Sequence, residues 1–121
     1  MEVKNTHIKG CFLLKPDIYK DERGEFFESY NRRVLEDNIG EKIEFVQDNQ
    51  SVSHRGALRG LHFQKGRHAQ SKLVRVVNGM VLDVIVDIRR ESETFGQHLK
   101  IVLTADSNEM LFIPKGMAHG F

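Results

Sequence analysis

The feature that most constrains this chain is its punctuation. Apolar runs of four to eight residues follow one another, each closed by glycine or a short polar cluster, and almost nothing carries a helical period. Such runs, rich in β-branched and aromatic residues and bounded by turn formers, read as strands. They are expected at residues 10–14, 25–30, 43–46, 57–64, 71–77, 80–88, 98–104 and 110–113. One helix interrupts the series. Asn31 is a suitable N-cap, residues 32–38 follow, and Gly40 closes the segment. Many short strands with regular turns and one helix specify an all-β fold, a sandwich or a barrel. With 121 residues, one domain spanning 1–121 is expected.

The strongest local signal is Asn78-Gly79 between two β-branched runs, the mark of a type I′ hairpin, in which both central residues need positive φ. A two-residue loop sets Val77 opposite Met80 and Val74 opposite Asp83. Alternation then places Lys72, Val74, Val76, Val81, Asp83 and Ile85 on one face, with Lys72 and Asp83 as diagonal neighbours. Leu73, Leu82, Val84, Val86 and Ile88 lie on the other. Charges pointing toward a largely apolar interior require a reason.

Charge excludes some functions. Eighteen basic side chains against seventeen acidic ones leave a formal +1, which gives no footprint for nucleic acid or an anionic membrane. No apolar stretch approaches the ~20 residues of a membrane helix, and the N-terminus has no signal-peptide pattern. The single cysteine, Cys11, cannot build a disulfide framework, so a buried, inert thiol and a cytoplasmic location are expected. The sequence stops at Phe121 within what reads as a strand. Termini are usually polar and exposed, so a chain cut short before its C-terminal part is expected.

Three clusters can do chemistry: residues 47–64 with Gln47, Asn49, Arg59 and His62; Lys72 with Asp83; and Pro114-Lys115-Gly116-Met117-Ala118-His119, a turn that delivers a histidine to a strand. The spacing P-x-G-x-x-H resembles the second motif of the cupin superfamily, whose fold is a jelly roll. The stretch matching the first, metal-binding motif reads Gly60-Leu61-His62-Phe63-Gln64. It has Gln64 where a second histidine would stand and no glutamate at a usable distance, so no metal is expected.

Longer motifs refine the resemblance. Asp21-Glu22-Arg23-Gly24-Glu25-Phe26-Phe27-Glu28, Gln47-Asp48-Asn49, Leu58-Arg59-Gly60-Leu61-His62-Phe63-Gln64, Gln70-Ser71-Lys72-Leu73-Val74-Arg75-Val76 and the segment from Phe112 to Phe121 are similar to the dTDP-4-dehydrorhamnose 3,5-epimerase family. The resemblance implies a cupin-type jelly roll and a cofactor-free inversion at C3 and C5 of dTDP-4-dehydro-6-deoxy-D-glucose, a step of dTDP-rhamnose biosynthesis. It implies His62 as the base, Lys72 as the group that stabilises the enolate, and Arg59 on the diphosphate. Gln47, Asn49 and His119 become substrate ligands, and Arg23 and Glu28 reach the site from the partner subunit of a homodimer. The role of Asp83, holding the Lys72 ammonium, follows from the hairpin register and not from the family. Strict alternation sets Arg59 and His62 on opposite faces, so a bulge or bend at Gly60 is required. In the family the acid is a tyrosine that would lie beyond Phe121. Tyr19 and Tyr30 do not sit in its motif, so these 121 residues are expected to have little or no epimerase activity alone. The alternatives are a ketoisomerase or single-position epimerase of the same fold, a non-catalytic sugar-nucleotide binding module, and a metal-dependent cupin dioxygenase.

Overall fold

A computed structural model describes residues 1–121. The elements are β1 (Glu2–Asn5), β2 (Phe12–Lys15), β3 (Ile18–Asp21), β4 (Gly24–Phe27), α1 (Arg32–Ile39), β5 (Lys72–Arg75), β6 (Met80–Asp87), β7 (His98–Thr104), β8 (Met110–Ile113) and β9 (Met117–Gly120). A short 3-10 turn covers Gly66–His68. All strand pairings are antiparallel, in a four-stranded sheet ordered β1-β2-β8-β5, a three-stranded sheet ordered β7-β6-β9, and the separate pair β3-β4.

The two larger sheets stack into a sandwich, and alternation along each strand decides what fills it. Ile85 of β6, Leu103 of β7, Leu111 and Ile113 of β8 and Met117 of β9 meet Ile8 and Cys11 in one buried cluster, flanked by Leu13, Val74, Val76 and Val81. The intervening residues of β8, Met110 and Phe112, face the opposite way, onto Leu14, Leu35 of α1 and Ile43. Strand β8 is therefore buried on both faces. Each fully buried Ile or Leu contributes about 1.5–3 kcal/mol, against ~0–1 for an exposed ion pair. The sandwich, not its surface charges, fixes the geometry of anything mounted on it.

Helix α1 follows its caps. The Asn31 side chain accepts from the Val34 amide, and Gly40, at φ 80°, donates its N–H to the Glu36 carbonyl. Burial also pushes the Cys11 thiol up to about 12, which makes it inert at neutral pH.

Two expectations fail. No hairpin forms at Asn78-Gly79: β5 pairs with β8, while β6 pairs with β7 and β9. Gly79 has φ 76°, but Asn78 stays out of the left-handed region, so the type I′ geometry is absent. Each strand has its own apolar inward face, and stacking the strands in opposed sheets buries both. The Gly79 carbonyl instead accepts from Ala105 and extends the β6–β7 ladder. Nor do residues 43–46 and 57–64 form strands; His62 alone makes an isolated bridge. Val46, Val52 and Leu58 are 85–88% exposed, so no core contact supports their β-propensity, and residues 57–64 meet β9 and Phe121 only through Arg59 and His62.

Candidate active site

The turn at residues 114–116 launches β9, whose register sets Met117 opposite Asp87 and His119 opposite Ile85. Met117 and His119 therefore share the inward face with Asp83, Ile85 and Asp87. His119 is 4% exposed, and its Nε2 lies 2.8 Å from Oδ2 of the fully buried Asp83.

Beside β9 runs the segment carrying His62. The amides of Arg59 and Phe121 exchange hydrogen bonds with each other's carbonyls at 2.7 and 2.9 Å, and those of His62 and His119 do so at 2.9 and 3.0 Å. Between the two pairs, Gly60 and Leu61 oppose Gly120 alone. Two residues against one is a β-bulge, and it supplies the phase change that Arg59 and His62 require. Glycine is needed on both sides. Gly60 has φ 92°, and a Cβ there would sit 2.6 Å from the His119 carbonyl oxygen; a Cβ on Gly120 would sit 2.5 Å from that of Arg59.

Lys72 comes from the opposing sheet, with the inward parity of Val74. Its Nζ lies 3.4 Å from Nε2 of His62. The His62 and His119 ring centroids are 6.1 Å apart, and Phe121 is 6.1 Å beyond His119. The Lys72 charge, some burial and His119 hold His62 below the usual imidazole range. Burial lowers Lys72 too, while Asp83 opposes that shift. As an acceptor from the Lys72 ammonium at Nε2, a neutral imidazole would carry its proton on Nδ1, the form able to take up a proton at Nε2.

The structure thus brings His62, Lys72, His119 and Asp83 together, by a route different from the expected one. Lys72 and Asp83 face each other across the sandwich and are not neighbours in one sheet. Asp83 does not hydrogen-bond Lys72: its Oδ2 is paired with His119, and its Oδ1 is buried without a partner. The expected diagonal pair assumed a β5–β6 ladder that does not exist. The His119–Asp83 pair was legible only to someone who knew that β6 pairs with β9. His62 is exposed and stands at the rim of the sandwich.

The remaining residues lie farther out. Arg59 is exposed, with Nε donating to Ser53 Oγ at 3.1 Å. Gln47 and Asn49 hydrogen-bond each other at 3.0 Å on an exposed segment. Arg23, in the β3–β4 turn, is paired with Asp21 at 2.6 Å, and Glu28 accepts from Asn31. No three His, Cys, Asp or Glu side chains converge on a point where they would hold a metal ion.

Two stacked antiparallel sheets with one helix, and a histidine delivered by a P-x-G-x-x-H turn onto an inward face, define a cupin-type jelly roll. Residues 5–121 match the family model described as dTDP-4-dehydrorhamnose 3,5-epimerase, and the chain belongs to that family. It is 54% identical over all 121 residues to the dTDP-4-dehydrorhamnose 3,5-epimerase of Salmonella typhimurium and 49% identical to that of Escherichia coli K12. It spans 66% and 65% of their lengths. Among solved structures, the enzyme of Elizabethkingia anophelis superposes with a TM-score of 0.95 at 47% identity, covering 99% of this chain and 66% of that one. The dTDP-6-deoxy-D-glucose-3,5-epimerase of Legionella pneumophila, solved with dTDP-4-keto-L-rhamnose, gives 0.94 at 47% identity, covering 99% and 63%. A 3'-monoepimerase from Streptomyces bikiniensis, in complex with dTDP-quinovose, gives 0.88 at 34%, covering 96% and 59%.

Proposed function

We propose that these residues form the enolising half of a dTDP-4-dehydrorhamnose 3,5-epimerase site acting on dTDP-4-dehydro-6-deoxy-D-glucose. The observation that carries this reading is the Lys72 ammonium 3.4 Å from a His62 imidazole whose pKa it lowers. The C4 ketone acidifies the hydrogens on both flanking carbons. Nε2 of neutral His62 takes the proton from C3 or C5, the C–H electron pair moves into the ring, and the negative charge settles on the ketone oxygen. Lys72, displaced from its contact with His62 by the substrate, donates to that oxygen; one such donor is worth about 3 kcal/mol of barrier. Asp83 acts through His119, fixing the ring that backs His62, and is a positioning residue.

Arg59 is the diphosphate ligand in this reading, with Gln47, Asn49 and His119 on sugar or nucleotide. Arg23 and Glu28 serve the neighbouring site of a homodimer. The separate β3–β4 pair supports that assignment, since it carries Tyr19 and Phe26 at 67% and 71% exposure. The reaction takes place in the cytoplasm and needs no cofactor, and residues 1–121 act as one domain. No helix is long and apolar enough to cross a membrane.

This reading assigns no residue among these as the acid on the opposite ring face. Tyr30 packs edge-on against Phe45 at 5.7 Å, and Tyr19 lies in the exposed β3–β4 pair. In deuterated water, the 121-residue chain is expected to exchange hydrogen at C3 and C5 while inverting little of the sugar. Proton NMR of the dTDP-sugar reads both. Exchange at one carbon only identifies a single-position epimerase, and binding without exchange identifies a non-catalytic module.

A further inference from the structure

The near-neutral total charge hides a segregated one. Between Asp48 and Asp83 there is no acidic residue, yet Arg55, Arg59, Lys65, Arg67, Lys72 and Arg75 all fall there. That window carries six positive charges against none. The rest of the chain holds the other twelve basic residues and all seventeen acidic ones, which leaves it at −5. The ion pairs follow the same division. Lys4, Lys9, Lys20, Arg23, Arg32, Arg33 and Arg89 each meet a carboxylate, and none of the six does.

Four of these charges belong to the imidazole–ammonium pair or lie close to it along the chain. Lys72 belongs to it, and Arg59 is anchored three residues before His62 by its backbone bonds to Phe121. Lys65 and Arg67 are exposed and flank the pair in sequence. At ~3.3–3.6 Å of reach per residue, the Lys65 backbone lies within ~11 Å of that of His62, and the Arg67 backbone within ~18 Å of that of Lys72. Neither side chain meets a carboxylate. The Lys65 ammonium sits 5.5 Å from the centroid of the Phe63 ring, and Arg67 Nε donates to His68 at 3.2 Å. Their charge is therefore open to solvent and unneutralised.

We propose that Lys65 and Arg67 form an electrostatic capture rim that draws a doubly anionic nucleoside diphosphate sugar toward the His62–Lys72 site, raising its association rate without holding it once bound. The proposal rests on the nucleotide-sugar reading for its ligand and on the charge segregation for its mechanism. Such steering depends on ionic strength, since the screening length falls from ~30 Å at 0.01 M to ~8 Å at 0.15 M. For charges ~15 Å from the approaching ligand, removing two cations slows association about threefold at 0.01 M and less than ~1.5-fold at 0.15 M. Reversing both doubles the charge change and slows it about tenfold at low salt.

The test is stopped-flow association of a fluorescent dTDP-sugar analogue with the wild-type chain, Lys65→Gln/Arg67→Gln and Lys65→Glu/Arg67→Glu, at both ionic strengths. The expected result is the graded, salt-sensitive loss of association rate with the dissociation rate unchanged. Equal association rates in all three proteins would overturn the proposal, as would an effect confined to dissociation, which would make these residues direct ligands. Calorimetry with inorganic pyrophosphate separates the two layers of the inference. If pyrophosphate affinity falls with the charge changes and with salt while the nucleotide analogue gains nothing over it, the capture rim stands and the nucleotide reading fails. If neither ligand binds, the rim is refuted.

Discussion

Replacing Gly60 by alanine tests how the imidazole is mounted. Two separate penalties apply. The backbone there has φ 92°, and placing a Cβ residue in that region costs about 1–2 kcal/mol. The added Cβ would also lie 2.6 Å from the His119 carbonyl oxygen and 2.9 Å from Gly120 Cα, both backbone atoms in a paired strand. Relief requires the His62–His119 bridge to open, forfeiting two backbone hydrogen bonds at about 1 kcal/mol each. Gly56 is the internal control: it has φ 83° with nothing within 4 Å of a Cβ, so alanine there meets the conformational penalty alone. The difference between the two variants is then about 2 kcal/mol, or roughly 30-fold in local opening. Amide hydrogen exchange at His62 and His119 reads it directly. Gly60→Ala should lose about that much more protection at these two amides than Gly56→Ala, and should lose substrate proton exchange with it. Equal protection in the two variants would refute the bulge as the mount of the site.

Three further outcomes follow from the same geometry. Lys72→Met removes the charge that depresses His62, so the acid limb of the exchange profile moves up toward the ordinary imidazole value of ~6.5, and the rate falls about 10²–10³-fold. An NMR titration of His62 checks the first effect and solvent exchange of the dTDP-sugar the second. Asp83→Ala strands the buried His119 at a cost of about 1–3 kcal/mol in urea unfolding, and it removes the charge that raises Lys72, so the alkaline limb shifts to lower pH. Asp87 is buried, which works against its charged form, but bonds from Arg89, Ser92 and Thr94 hold it well below the usual carboxylate range. Its contribution is present above the ordinary carboxylate value of ~3.9 and disappears as pH falls through the lower, folded-state value. Asp87→Asn should therefore cost about 3 kcal/mol, or about 10 °C in Tm, at pH 7. The gap between variant and wild type should close on acidification.

What was legible in the sequence was what local chemistry decides. Asn31 and Gly40 bracket α1 because a side-chain acceptor and a left-handed residue satisfy helix ends whatever surrounds them. Strands β7 and β8 occupy the expected residues 98–104 and 110–113, and β6 shows the inward parity read from its alternation. Pairing is a different matter, because it is decided by residues far away in the chain. Asn78-Gly79 looks like a hairpin, and only the competition from β8 for β5, and from β7 and β9 for β6, carries it between sheets. With no β5–β6 ladder, Asp83 pairs with His119 and not with Lys72. The bulge at Gly60 was legible because two residues of opposite parity had to serve one site. The charge segregation does not show in the chain total, because basic and acidic residues cancel to +1.

The central claim is that the His62 imidazole removes the sugar's proton with the Lys72 ammonium beside it. Hydrogen–deuterium exchange at C3 of the dTDP-4-dehydro-sugar, followed by NMR in His62→Ala with and without added imidazole, tests it most directly. The expected result is loss of exchange in the variant and partial return with free imidazole, which fits the space the side chain vacates. Exchange that persists unchanged in His62→Ala would mean that another group takes the proton.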